Sequence, residues 1–244
     1  MSDFFALYDC ICENVKSDEQ IINSIPGSVW ALIETEKHSG TAMLTQGASR
    51  PAIFSEGFLG LGLREAARAV KSWRYEEASL ALASANAFYN TPERLSALQS
   101  AEPFDNYCTR GIDFRGKTVG IVGHMHGTAE MRRDAKEIFI LEREPREGDY
   151  PDPACGYLLP QCDVVLITGS SIINKTLPHL LELCRDAYTI LVGPSVPMCP
   201  DLLDFGIDRL SGLVITERAA MHECCVSGVH GSPYGHGEAF LLKK

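Results

Sequence analysis

The residues best suited to chemistry sit where apolar runs end. The clearest case is Thr118-Val119-Gly120-Ile121-Val122-Gly123-His124-Met125-His126-Gly127, an apolar run that breaks into glycines ahead of a helical stretch. Small residues at such a turn let a ligand approach the backbone, and the N-terminus of the following helix favours an anion. The spacing is G-x-x-G-x-x-x-G rather than the dinucleotide G-x-G-x-x-G, so no nicotinamide cofactor is implied. The next apolar run ends Phe139-Ile140-Leu141-Glu142, placing Glu142 142 − 123 = 19 residues after Gly123. A carboxylate about 20 residues on can accept hydrogen bonds from both hydroxyls of a nucleoside. S-adenosylmethionine enzymes share that position, so Glu142 names a geometry rather than a cofactor. The alternative is a solvated glutamate beside Arg143.

Two further apolar runs finish in small polar residues. One is Ile167-Thr168-Gly169-Ser170-Ser171, leading through Asn174-Lys175-Thr176 into a helix, and the other is Val192-Gly193-Pro194-Ser195. Their hydroxyls and open backbone N–H groups suit the floor of a polar pocket, while Asn174 or Thr176 can also cap a helix. Between these runs lies Gly148-Asp149-Tyr150-Pro151-Asp152-Pro153-Ala154-Cys155-Gly156-Tyr157, too rich in proline to read as helix. Asp149 and Asp152 there suit metal ligation, general-base work or simple Asx turns.

Metal-ligating residue types occur at His124-x-His126, at His222-Glu223-Cys224-Cys225 and at His230 and His236. Neither the Cys-x-x-Cys pairs of structural zinc nor the His-Glu-x-x-His of a zinc protease is present. Adjacent Cys224 and Cys225 on a helix point about 100° apart, which disfavours a shared ion. His124 and His126 are therefore the metal candidates. In the first half, Asn86 stands mid-helix in Ala83-Ser84-Ala85-Asn86-Ala87, where a poor helix former implies a hydrogen-bonding task. Glu34, on an expected strand, raises the same question. Both could face a cleft between two halves.

The elements that must position these residues follow from periodicity. Phe5, Tyr8, Ile11, Cys12 and Val15 form one helical stripe. After Pro26-Gly27, residues 28–35 read as a strand, Ser39-Gly40 as a turn and residues 41–45 as the hairpin partner. Residues 64–72 and 75–88 are rich in Ala, Leu and Glu and read as helices. Thr91-Pro92 marks another helix start. Residues 102–115 are polar and read as a link. Beyond it strands are expected at 117–122, 138–142, 163–168, 188–192 and 210–216, and helices at 128–136, 177–185 and 217–226. Strand–helix alternation with apolar strands such as VVLIT and TILVG indicates a parallel sheet covered on both faces. The Gly-rich tail HGSPYGHGE reads as a candidate for disorder. The division expected is an α+β unit over residues 1–105 and a Rossmann-like α/β domain over residues 106–244.

Composition narrows the partners. The 244 residues include 22 Lys+Arg against 32 Asp+Glu, a formal net charge of -10, which argues against nucleic-acid binding. No apolar run reaches the ~18–20 residues of a membrane span. No signal peptide is legible at the N-terminus. The 9 cysteines are scattered, which fits free thiols and a cytoplasmic setting better than a disulfide framework. A small-molecule ligand is the expected partner, and a homo-oligomer is left open.

At these residues the chain resembles the putative heavy-metal chelation family. The matching runs are Ala85-Asn86-Ala87, Val119-Gly120-Ile121-Val122-Gly123, Leu141-Glu142-Arg143-Glu144-Pro145, Gly148-Asp149-Tyr150-Pro151-Asp152, Leu158-Leu159-Pro160-Gln161-Cys162-Asp163, Thr168-Gly169-Ser170-Ser171 with Asn174 and Thr176, and Val192-Gly193-Pro194-Ser195. The resemblance implies a Rossmann-like domain preceded by a smaller α+β domain similar to the enolase N-terminal fold, with the site between them. It does not imply enolase chemistry. One departure is Gly156, where the resemblance leads us to expect a carboxylate.

The expectation is thus a pocket for a small anionic or heterocyclic ligand, such as a nucleoside, pterin or flavin, in making or handling a metal-chelating metabolite. Glu142 would grip hydroxyls, and Gly123, His124 and Gly127 would lie against the ligand. Asp149, Asp152, Thr168, Gly169, Asn174, Thr176, Gly193 and Ser195 would line it, with Asn86 and Glu34 closing it. The alternatives are direct binding of a divalent or heavy-metal ion by His124, His126, Asp149, Asp152 and Cys155, or a methyltransferase-like enzyme using S-adenosylmethionine.

Overall fold

A computed structural model describes residues 5–47, 49–103, 108–125, 129–228 and 231–244. The first half opens with α1 (Ala6–Glu13) and a three-stranded antiparallel meander, β1 (Asn23–Pro26), β2 (Trp30–Glu34) and β3 (Ser39–Met43). Helices α2 (Leu63–Ala67), α3 (Tyr75–Tyr89) and α4 (Pro92–Ser96) follow. Strand β4 (Ala101–Pro103) leads into the second half. There the chain runs β5 (Thr118–Val122), α5 (Ala129–Asp134), β6 (Glu137–Glu142), β7 (Tyr150–Pro151), α6 (Cys155–Leu158), β8 (Val164–Thr168), α7 (Ser170–Ile173), α8 (Leu177–Leu183), β9 (Tyr188–Val192), β10 (Arg209–Ile215), α9 (Arg218–Ser227) and β11 (Gly237–Lys243).

The large sheet has eight strands in the order β4-β11-β10-β9-β8-β5-β6-β7. From β10 to β7 all pairings are parallel, and β11 and β4 join antiparallel. Strand β8 shows why both faces are covered. Val165 and Ile167 enter the main core, while Val164 and Leu166 enter a second core with Phe114, Val119, Ile121 and Met131. Period-two alternation sends neighbouring apolar side chains to opposite faces, so an unbroken apolar strand needs a layer on each side.

The first half supplies much of one layer. Tyr8, Ile11, Ile33, Leu82 and Ala85 belong to the same buried cluster as Ile167, Leu177, Leu191 and Val214. Helix α3 is buried on almost every side, from Glu77 to Tyr89, as expected of a helix held between two sheets. Gly40 fixes that contact: a Cβ there would stand 2.1 Å from the Ala87 amide nitrogen and 2.2 Å from the Ala83 carbonyl oxygen. On the other side of the small sheet, Leu32 packs with Leu213, Ile215, Met221 and Cys225.

Several local expectations are corrected. Ser39-Gly40 is not a turn but the start of β3, with Ser39 opposite Glu34 and Gly40 opposite Ile33. Pro26 ends a strand the periodicity had not signalled, since β1 has no fully buried residue. Residues read as a link begin inside β4, paired with β11. The Pro-rich loop is not wholly irregular, because Pro151 ends β7, residues 152–154 form a 3-10 turn and Cys155 begins α6. The described part of the Gly-rich tail is ordered. Trp30 Nε1 donates to the Gly231 carbonyl at 3.1 Å, and the chain then enters β11 between β4 and β10. Leu241 and Leu242 are buried and Phe240 partly so, which requires the partner strands on either side of β11.

Candidate functional site

Strands β6, β5, β8 and β9 are parallel neighbours, so their carboxyl ends share one edge of the sheet. Each strand-end glycine continues that edge. The Gly123 N–H donates to the Leu141 carbonyl, and the Gly169 N–H donates to the Val192 carbonyl, both at 2.9 Å. Gly123 has φ 96 and Gly193 φ 126, conformations that a side chain would strain. A Cβ on Gly123 would also lie 3.0 Å from Thr168 Cγ2. Gly123, Thr168, Gly169 and Gly193 therefore form a continuous row of small groups.

At the β5–β6 end of the row, His124 stands between two carboxylates. Its backbone N–H donates to Glu142 Oε2 at 3.0 Å, and its ring Nε2 lies 2.6 Å from Asp149 Oδ2. The Arg146 N–H donates to the same Asp149 oxygen at 2.8 Å. That backbone bond, helped by His124, holds the Asp149 carboxyl below its ordinary range. Glu142 Oε1 accepts the Arg143 N–H at 2.8 Å, so the carboxylate staples two strand-end loops together. Each of its oxygens retains a second lone pair for a ligand.

At the β8–β9 end the turn chemistry is local. Asn174 Oδ1 accepts from the Thr176 N–H at 3.1 Å and from its hydroxyl at 2.7 Å, an Asx turn into α8. Thr176, at the N-cap, makes no side-chain cap bond. Asp152 opens the 3-10 turn after β7. Gly127 and His126 lie outside the described residues.

The first half reaches this edge through α3 and β3. Asn86 Nδ2 donates to the Thr41 carbonyl at 2.8 Å and to the Pro194 carbonyl at 3.3 Å, while its Oδ1 is buried without a hydrogen-bond partner. Ser195 Oγ accepts the Met43 N–H at 2.8 Å. Asn90 donates to the carbonyls of Val196 and Leu213 and accepts from the Met198 N–H. Glu34 lies in a different group. Its Oε2 is 2.7 Å from His222 Nδ1 and 3.0 Å from Asn23 Nδ2, and Ser39 Oγ donates to Oε1. Arg218 extends that group to the carbonyls of Thr35 and Glu36. His222 is thus engaged in fastening α9 to the small sheet.

Sequence reasoning missed Lys175. It has φ 67, is buried, and its amine donates to the Ile173 carbonyl at 2.7 Å. The amine stands 5.3 Å from the centre of the Tyr8 ring and 6.0 Å from that of Tyr75. Burial pushes it down to about 7. A lysine between Asn174 and Thr176 looks like loop polarity in sequence, and no local pattern marks it as buried.

Cys155, expected as a possible metal ligand, is buried, and burial pushes its thiol up to about 12. A separate pocket of about 290 Å³ opens at the opposite, amino-terminal edge of the sheet, lined by Asp113, Lys117, Asp163, Tyr188 and Arg209. It shares no residue with the strand-end site.

Fold and strand-end architecture define a mixed α/β protein in which a mostly parallel sheet is joined to a smaller antiparallel one. The chain belongs to the family described as "Putative heavy-metal chelation", whose two sequence models match residues 112–239 and 8–89. A solved structure from Desulfitobacterium hafniense, a protein of unknown function in the same DUF364 family, is 34% identical with a TM-score of 0.89. That comparison covers 99% of this chain and 98% of the other. A second family structure, from Pyrococcus horikoshii, has a TM-score of 0.80 at 18% identity, covering 98% of this chain and 100% of the other. An uncharacterized protein of Methanocaldococcus jannaschii is 32% identical over 108 residues, 41% of this chain and 42% of that protein's length. No helix among the described residues is long and apolar enough to cross a membrane.

Proposed function

We propose that the protein binds a small anionic or heterocyclic ligand along the carboxyl edge of the large sheet, where the first half meets it, and acts in making or handling a metal-chelating metabolite. The observation that carries this reading is the continuous row Gly123, Thr168, Gly169 and Gly193, flanked by His124, Glu142 and Asp149. Open α/β sheets bind ligands at this edge because strand-end loops leave backbone N–H groups and little side-chain bulk. The family description supports metal-chelate chemistry as the wider setting.

In this reading the ligand's polar edge lies against Thr168 and the strand-end glycines, and its hydroxyls reach the spare lone pairs of Glu142. Asn86 supports the edge from α3 by donating to the Thr41 and Pro194 carbonyls. The metal belongs to the small molecule rather than to these residues, since both ring nitrogens of His124 already face carboxylates, Nδ1 at 3.4 Å from Glu142 and Nε2 at 2.6 Å from Asp149.

Thermal shift of the full chain against nucleosides, pterins, flavins, catechols and S-adenosylmethionine tests the proposal. A ligand at 100 times its Kd should stabilise by about 2.7 kcal/mol. The shift should disappear in Thr168→Val and in Glu142→Ala. Flat curves for every class at millimolar concentration defeat the proposal.

A further inference from the structure

Cys10 of α1 meets Cys199 and Asp201 in space, although their segment after β9 lies far from α1 in sequence. The two Sγ atoms and a carboxylate oxygen of Asp201 all lie within 4.8 Å of one another. We propose that Cys10, Cys199 and Asp201 hold a single thiophilic divalent cation of the zinc or cadmium class, with one coordination position left open.

The spacing is what such an ion needs. Zn–S bonds of about 2.3 Å in a tetrahedral site hold two sulfurs roughly 3.8 Å apart. Cys199 is 1% exposed, Cys10 half-buried and Asp201 exposed, so the site opens toward solvent on its carboxylate side. That grading suits entry of a hydrated ion, which would lose water as it moves onto the sulfurs. Two thiolates favour zinc and softer ions over magnesium or calcium, which prefer all-oxygen sets. The carboxylate completes a three-ligand set, and a site with three protein ligands keeps a position for water or a small-molecule donor.

The carboxylate is also held by its surroundings. Asn14 Nδ2, one turn after Cys10 on the same N-terminal segment, donates to Asp201 Oδ2 at 2.7 Å. A hydrogen bond of this kind orients a ligating carboxylate and leaves its other oxygen for the ion. Loading releases the two thiol protons to solvent, so binding strengthens as pH rises. Because α1 and the segment after β9 come from the two halves of the chain, the ion would clamp them together. The site uses none of the strand-end residues, so either proposal can fail without the other.

The test uses the untagged full chain, reduced and stripped with a chelator, then titrated with cadmium. We expect a thiolate-to-cadmium charge-transfer band saturating at one ion per chain, with half-buried Cys10 gaining protection from alkylation and no cysteine other than the already buried Cys199 following it. The protection map needs no variant and so does not depend on folding of a mutant. Cys10→Ser should abolish the band, Asp201→Asn should weaken binding by roughly tenfold or more, and Cys224→Ser should leave it intact. No saturable band with wild type, protection at other cysteines, or a band that survives Cys10→Ser overturns the site.

Discussion

At the residue scale, Asn90 and Lys175 carry consequences that can be measured. Asn90 satisfies three buried backbone groups, the carbonyls of Val196 and Leu213 and the N–H of Met198. Asn90→Ala strands all three, and we expect a loss of about 3 kcal/mol in urea unfolding. Lys175 acts in the other direction. Its amine titrates at about 7 in the folded protein and at its ordinary 10.5 when released. Between those values the unfolded chain holds a proton that the folded chain has shed, so this residue makes stability rise with pH across that window. Below about 7 both states are protonated and the burial cost is constant. Lys175→Met removes the amine, and its ΔG relative to wild type should be most favourable below neutral pH. That advantage should shrink by an amount on the order of a few kcal/mol as pH approaches 10. A difference between the two proteins that is flat from pH 6 to 10 would refute the desolvated amine. Loss of the bond to Ile173 adds a constant offset and leaves the slope unchanged.

At the element scale, α3 and β11 decide the architecture. Gly40→Ala drives a methyl group into the α3 backbone, and helix and strand must separate for it to fit. The expected cost is about 3 kcal/mol, read as a lowered urea midpoint with unchanged slope. Strand β11 was hidden in sequence by the glycines and histidines that precede it. Its alternation is short, and its inward residues become meaningful only beside β10, where Leu242 faces Leu210 and Phe240 faces Gly212. Deleting residues 237–244 exposes β10 and leaves β4 without its partner, since β4 pairs with β11. Such a chain should be insoluble or should bind a hydrophobic dye; a monomeric, fully folded product would contradict the placement of β11 between β4 and β10.

At the scale of the whole molecule, the main buried cluster draws on both halves, and so does the smaller one around Leu32. Unfolding should therefore be a single transition. Trp30 and Trp73 both belong to the first half, whereas most of the large sheet's strands come from the second. Tryptophan fluorescence and far-ultraviolet circular dichroism should give coincident midpoints. Two resolved midpoints would mean that Asn86, Asn90, Ser195 and the shared core do not couple the halves.

Much of the second half could be read directly, because β5, β6, β8, β9 and β10 are apolar runs punctuated by glycine or polar residues. Periodicity also marked α1 and α3, and the spacing from Gly123 to Glu142 marked one edge of the candidate site. These signals are local: burial periodicity and turn preference act within a few residues of each side chain. The chain's own order could not disclose that Gly40 exists to admit α3, that Glu34 is held by His222, or that Lys175 is stripped of water by Tyr8 and Tyr75. Nor could it bring Cys10 to Cys199 and Asp201. Each of those facts arises from surfaces that meet only after the two halves pack, and desolvation and close approach are properties of that packing rather than of any segment.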